Sequence, residues 1–266
     1  VIKSVFNNWE TVGYHAQHDL GNGFSVYIKD AGHVLGSSIF EFTYNGKKIV
    51  FTGDLGNSPS PLLRDTEYVE QADYVVMESV YGDRNHEQRS ERKENLKNII
   101  LENYKKRGNL VVPIFSLERT QEFLYEINEM VESGEVPSMP VFVDSPLAIK
   151  VTDIFYKHKD LFKDSVKKDI NSGDDIFKFK GLKETERTED SKAILNAKSP
   201  KIIMAGSGMS AGGRIMHHEK NYLGDANSTI LMTGFQTPGT PGRLLLDGAK
   251  ELQIFRETVR VRATVK

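Results

Sequence analysis

The chain has 266 residues and a mass of 30.0 kDa, enough for one large domain or two modest ones. Apolar residues make up 38% and charged residues 27%, which excludes a disordered chain, and no stretch approaches the roughly 20 apolar residues of a membrane-spanning helix. A net charge of −2 excludes a broad polyanion-binding surface, and the absence of cysteine excludes disulfides and thiolate metal sites.

The opening residues, "VIKSVFNNWE", lack the basic start and apolar run of a signal peptide, and a cytoplasmic setting fits. They read as strand material, as does the closing "VRVRATVK", so an incomplete fold is expected. "FSVYIKDAG", "SSIFEFTYNGKKIVFTGDLG" and "ADYVVMES" are strand-rich, and the Asn-Gly of "TYNGKK" predicts a hairpin. His33 and Asp54 flank that hairpin. "EQRSERKENLKNIILENYKKRG" predicts an amphipathic helix with Gly108 as its C-cap. Strands and helices then alternate: "NLVVPIF" with "SLERTQEFLYEINEMVESG", started by Ser116 and Glu118; "MPVFVDSP" with "LAIKVTDIFYKHKDLF"; and "KSPKIIMAGSG" with "MSAGGRIMHHEKNYLGD". This order predicts a parallel sheet with helical crossovers. The stretch "KKDINSGDDIFKFKGLKETERTEDSKA" reads as loop plus a short helix, and the best internal boundary falls near residue 84.

His33 and Asp54 are metal-ligand types placed at strand ends, where binding groups concentrate. Either can equally serve a turn, and two donors fall short of the three or four that zinc takes. His15 and His18 read as a solvated loop, and His86 and His158 as surface residues. His217 and His218 share a helix and cannot both face one site. Glu78, at the end of "YVVM", is either an active-site carboxylate or an acidic turn. "IIMAGSGMSAGGR" carries a strand into a glycine-rich turn and a helix, the arrangement that offers backbone N–H groups to an anion. Gly212 and Gly213 come one step late for a dinucleotide fingerprint, and Asp225 precedes the next strand, so a nicotinamide enzyme is rejected. Asp144 and Ser145 at a strand's end in "VFVDSPLAIK", with Pro146 opening a helix at its first turn, and Arg243 after "GFQTPGTPG", bring two more loops to the same sheet edge. Ser145, Ser207, the amides of Gly208 and Met209, and Arg119 or Arg243 are candidate phosphate contacts; each can instead be a turn device.

Taken in order, "AGHVLGSSIFEF", "IVFTGDLGN", "VMESVYGDR", "VVPIFSLERTQEFLYEI", "VFVDSPLA", "AGSGMSAGGRIMHH" and "GFQTPGT" resemble the β-CASP branch of the metallo-β-lactamase superfamily. That branch contains RNA-processing nucleases, including bacterial enzymes related to the pre-mRNA 3′-end endonuclease, and RNase J. The resemblance implies an α/β fold: part of a metallo-β-lactamase αββα sandwich over 1–83, a β-CASP domain over 84–258, and a strand over 259–266 returning to the first domain. It implies that His33 ligates one zinc ion, that Asp54 bridges two, and that Glu78 is a catalytic-site carboxylate holding a histidine. RNA is the implied partner, with no membrane, and a homodimer is the candidate assembly.

The family's H-x-H-x-D-H motif and its two later histidines do not occur in this chain, so alone it is expected to bind zinc poorly and to be inactive. The implied activity of the complete enzyme is zinc-dependent hydrolysis of RNA phosphodiesters, endonucleolytic and in some members 5′-exonucleolytic, leaving a 3′-hydroxyl and a 5′-phosphate. The competing reading is a non-catalytic RNA-binding or scaffold protein of the same fold.

Overall fold

Two Asn-Gly turns shape the first part of the chain. The computed structural model describes residues 2–83 and 91–266. It places Asn22–Gly23 between β1 (Gln17–Gly21) and β2 (Phe24–Asp30), and Asn45–Gly46 between β3 (Ser38–Tyr44) and β4 (Lys47–Phe51). All four turn residues have positive φ, at 53°, 81°, 47° and 73°, the geometry that Asn and Gly adopt most readily. A short fifth strand, β5 (Tyr74–Val76), joins β4 in parallel and completes a sheet ordered β1 to β5. Alternation along β2 buries Val26, Ile28 and Asp30, and Ala31, Ile39 and Val50 form a small core with Leu55, Val69 and Ala72 against it. The opening residues form a helix, α1 (Ile2–Phe6), instead of the expected strand, and His18 lies on β1 instead of in a loop.

By contact the chain divides into two compact units, Val1–Glu87 with Leu161–Lys163, and Gln88–Asp160 with Asp164–Lys266. The expected boundary at residue 84 and His86 lie outside the described residues.

The second unit is built on β6 (Asn109–Pro113), β7 (Val141–Val143), β8 (Leu182–Glu184), β9 (Lys201–Ala205), β10 (Thr229–Ile230) and β13 (Thr264–Val265). They form one parallel sheet ordered β13-β10-β6-β9-β7-β8. β6 and β9 are buried at every position, as the central strands of a sheet covered on both faces must be. The flanking helices are α2 (Arg92–Lys105), α3 (Arg119–Glu132), α4 (Pro146–Lys157), α5 (Asp164–Asn171), α6 (Thr188–Ala193), α7 (Ile215–Tyr222) and α8 (Pro241–Leu246). A hairpin of β11 (Glu251–Ile254) and β12 (Glu257–Arg260) completes the unit. Its core gathers Val111, Ile203, Ile215, Leu223, Ile230 and Ile254, among others.

Three expectations need correction. Residues 259–266, expected to return to the first domain, stay in this unit: Val259 and Arg260 close the β11–β12 hairpin, and Thr264–Val265 pair with β10. The backbone amides of Arg262 and Ala263 both donate to Leu223 O, which steers the chain there. The stretch 167–193, expected as loop plus a short helix, also contains β8, an edge strand too short and polar to show as one. The left-handed residue after α2 is Arg107 (φ 53°), not Gly108. Gly108 is required for another reason: a Cβ there would lie 1.8 Å from Asn227 O.

Candidate functional site

In the first unit, the loop after β2 carries His33 and the loop after β4 carries Asp54. The two loops are pressed together. A Cβ on Gly56 would lie 1.9 Å from Gly32 O and 2.9 Å from His33 N, so "GDLG" approaches "AGH" as only glycine permits. Gly56 N–H donates to Ala31 O at 2.8 Å, and the Thr66 hydroxyl lies 2.9 Å from Ala31 O and 3.0 Å from Gly56 O. Ser37 Oγ accepts the His33 and Val34 amides. Glu78, half-buried after β5, accepts the Leu55 amide through Oε1 at 2.6 Å, while its own amide donates to Thr52 Oγ1. Glu78 thus braces the loop that presents Asp54. The His33 and Asp54 side chains themselves are exposed. His15, in contrast, pairs with Glu67 at 2.6 Å.

In the second unit the expected phosphate contacts lie in loops at the carboxyl edge of the parallel sheet and at the helix starts that follow. Ser145 caps α4, its Oγ accepting the Ala148 amide, and stands 3.2 Å from Ser116 Oγ. Ser207 Oγ accepts the Ala211 amide. Gly208 lies against the Phe115 ring, which a Cβ would meet at 2.5 Å. Its carbonyl accepts from Gln236 Nε2, and the Met209 carbonyl accepts from the Gly242 amide. The loops after β9 and β10 and the start of α8 are thereby locked together. The two arginines are engaged elsewhere: Arg119 Nη1 pairs with Glu122 Oε2 at 2.7 Å, a carboxylate that Arg92 shares, and Arg243 Nε pairs with Asp247 at 2.9 Å.

The centre of this edge is a residue that the sequence reading placed at a strand end but gave no role. Asp144, fully buried, receives His218 Nε2 at 2.6 Å, Ser191 Oγ at 2.7 Å, Thr185 Oγ1 at 2.8 Å and Arg214 Nη1 at 2.8 Å. Burial alone would raise its carboxyl, but hydrogen bonds from His218, Ser191 and Thr185 outweigh burial and hold it at about 2. With the carboxylate ionised, the proton on His218 is assigned to Nε2. Arg214 also donates to the carbonyls of Thr185 and Glu186, tying the start of α7 to the loop after β8. One turn along, Ser210 (φ 56°) donates to the fully buried Glu219, whose carboxyl burial pushes up to about 7. Of the paired histidines, His218 thus faces inward and His217 outward.

His33 and Asp54 are donor types that a hard or borderline metal accepts. Among the described residues, however, no group of three or more His, Cys, Asp or Glu is placed to hold an ion. The described donors do not complete a metal centre, and no chemical step follows from one here. No described helix is long and apolar enough to cross a membrane.

A small mixed sheet with acidic and imidazole groups at its strand ends, joined in sequence to a parallel sheet edged by glycine-rich loops, defines a metallo-β-lactamase-type α/β protein carrying a β-CASP unit. The Beta-Casp domain family matches residues 120–245. A ribonuclease of Thermus thermophilus is 34% identical over 241 residues, covering 91% of this chain and 56% of that protein. An RNase J-like protein of Methanocaldococcus jannaschii is 30% identical over 268 residues, covering 99% and 61%. An endoribonuclease of Kluyveromyces lactis is 27% identical over 251 residues, covering 92% and 32%. Residues 120–245 thus match the Beta-Casp family, and the chain resembles these relatives over most of its own length. It spans little more than half the length of the first two of these relatives.

Proposed function

We propose that the chain forms part of a ribonuclease hydrolysing RNA phosphodiester bonds in RNA processing or decay. The observation that supports this most is the match over 91% and 99% of the chain, at 34% and 30% identity, to a ribonuclease and an RNase J-like protein. The family implies metal ions in general; in this proposal the metal is zinc, with His33 and Asp54 among its donors. When bound, such ions lower the pKa of a water molecule and clamp the oxygens of the scissile phosphate. In this proposal the chain's own residues take the following roles. Glu78 orients the Asp54 loop through the Leu55 amide. Ser145, Ser207 and the backbone of Gly208 and Met209 contact RNA phosphates, and Arg119 and Arg243 exchange their present carboxylate partners for phosphate. Endonucleolytic cleavage with a 5′-exonuclease mode, a homodimer and a cytoplasmic location complete the proposal.

Asp54→Ala in the native protein is expected to abolish cleavage of a labelled RNA while leaving its circular dichroism unchanged. Cleavage at the unaltered rate would refute the assignment. The scaffold reading is favoured by one observation, the lack of a three-donor group among the described residues. It predicts RNA binding with neither bound zinc nor cleavage, which elemental analysis of the native protein distinguishes.

A further inference from the structure

Two-residue hairpin turns favour Asn-Gly because both residues take positive φ. The first unit follows this rule twice, but the β11–β12 turn does not: its residues are Phe255 (φ 50°) and Arg256 (φ 67°). Bulky side chains are strained in that region, and strain held at an exposed position points toward function. Phe255 is 45% exposed, and its ring centre lies 4.6 Å from that of His217 on α7. Arg256, Arg260 and Arg262 are all exposed, and none forms an ion pair among the described residues. Of the nearby acids, Glu257 is engaged by Lys220 at 2.7 Å, while Glu251 sits opposite Arg260 in the register without pairing to it. A chain with net charge −2 therefore places one uncommitted cation, Arg256, beside a stackable ring, with Arg260 at the open end of the hairpin and Arg262 two residues beyond it.

We propose that this hairpin is a contact surface for single-stranded RNA, additional to the loops at the sheet edge. Phe255, backed by His217, stacks on a base, and the arginines take backbone phosphates, the combination used by strand-tracking grooves. A protein partner would require an apolar centre, yet the hairpin's aliphatic residues Leu252 and Ile254 are turned inward, 5% and 1% exposed. The choice of RNA over DNA rests on the ribonuclease reading.

The test measures anisotropy of a labelled oligouridylate with the native protein in an Asp54→Ala background, which leaves the probe uncut. The double variant Phe255→Asn, Arg256→Gly supplies the preferred turn; it is expected to melt at a higher temperature yet bind roughly tenfold more weakly. Replacing Arg256, Arg260 and Arg262 by Ala is expected to lower the slope of log affinity against log salt by about 2. Unchanged affinity and slope in both variants overturn the proposal. So does a change in self-association by ultracentrifugation with RNA binding intact, which would make the hairpin a protein contact. Hairpin-dependent binding without any cleavage by the native protein would sink the ribonuclease reading and leave this one standing.

Discussion

His33 and Asp54 in the first unit and Asp144 in the second are all polar groups at strand ends, but their settings are opposite. The first pair are exposed side chains on backbone that is pinned from below, by Thr66, Ser37 and Glu78. Asp144 is a buried carboxylate whose own oxygens are consumed by His218, Arg214, Thr185 and Ser191. A group with its bonding capacity left open can serve a ligand; a group with it filled organises the protein. Residue type and strand-end position do not separate these cases. Partner geometry does.

The largest expected effect breaks the comparison at Asp144. Replacing it by Ala leaves Arg214 and His218 without their common partner, which is expected to cost about 3–5 kcal/mol in a denaturant titration. Asp54→Ala should stay within about 0.5 kcal/mol of the parent in the same assay, as an exposed substitution does. Equal losses at both positions would erase the distinction. Acid gives a second reading of Asp144. Its folded-state carboxyl at about 2 lies below the ordinary value near 4, so its contribution is present above pH 4 and lost as the pH falls toward 2.

Glu219 sharpens the picture within the buried network. Only one of its oxygens is engaged, by Ser210; Oε2 has no hydrogen-bond partner among the described residues. Its folded-state carboxyl at about 7 lies above the unfolded value near 4.5, so between these limits the folded protein holds the extra proton. Stability should therefore fall as pH rises from 4.5 through 7 and level off above. Glu219→Gln keeps the shape and the Ser210 contact but cannot ionise. It should match the parent near pH 4.5 and exceed it by about 3 kcal/mol at pH 8, read from paired denaturation curves. Parallel pH profiles for the two proteins would contradict this assignment.

What could be read in the sequence was local. The Asn-Gly hairpin, the Ser145–Pro146 helix start and the strand-end placement of His33 and Asp54 all depend on residues within a few positions of each other. The Asp144–His218 contact spans 74 residues and left no local trace. Arg119 and Arg243 looked like cations free for phosphate, although Glu122 and Asp247, three and four residues along their helices, were visible as partners by spacing. The closing strand was assigned to the wrong unit because pairing with β10 is settled by the whole sheet, not by the alternation in "VRVRATVK".

The smallest of these effects tests whether the first unit's loops are as closely held as their glycines suggest. Gly56 is not in the left-handed region, so any cost of replacing it comes from contact alone, and the obstacles are backbone atoms of Gly32 and His33 that cannot swing aside. Gly56→Ala should therefore cost about 1–3 kcal/mol, the range for forcing atoms into filled space. Gly13 is the control, since a Cβ there meets nothing within 4 Å and its φ is not positive. Gly13→Ala should be neutral or slightly stabilising. If the metal reading of His33 and Asp54 is right, Gly56→Ala should also weaken metal retention in the native protein, because it moves one donor loop against the other. A variant that loses stability but keeps its full metal content would mean that the close approach of the two loops serves folding only.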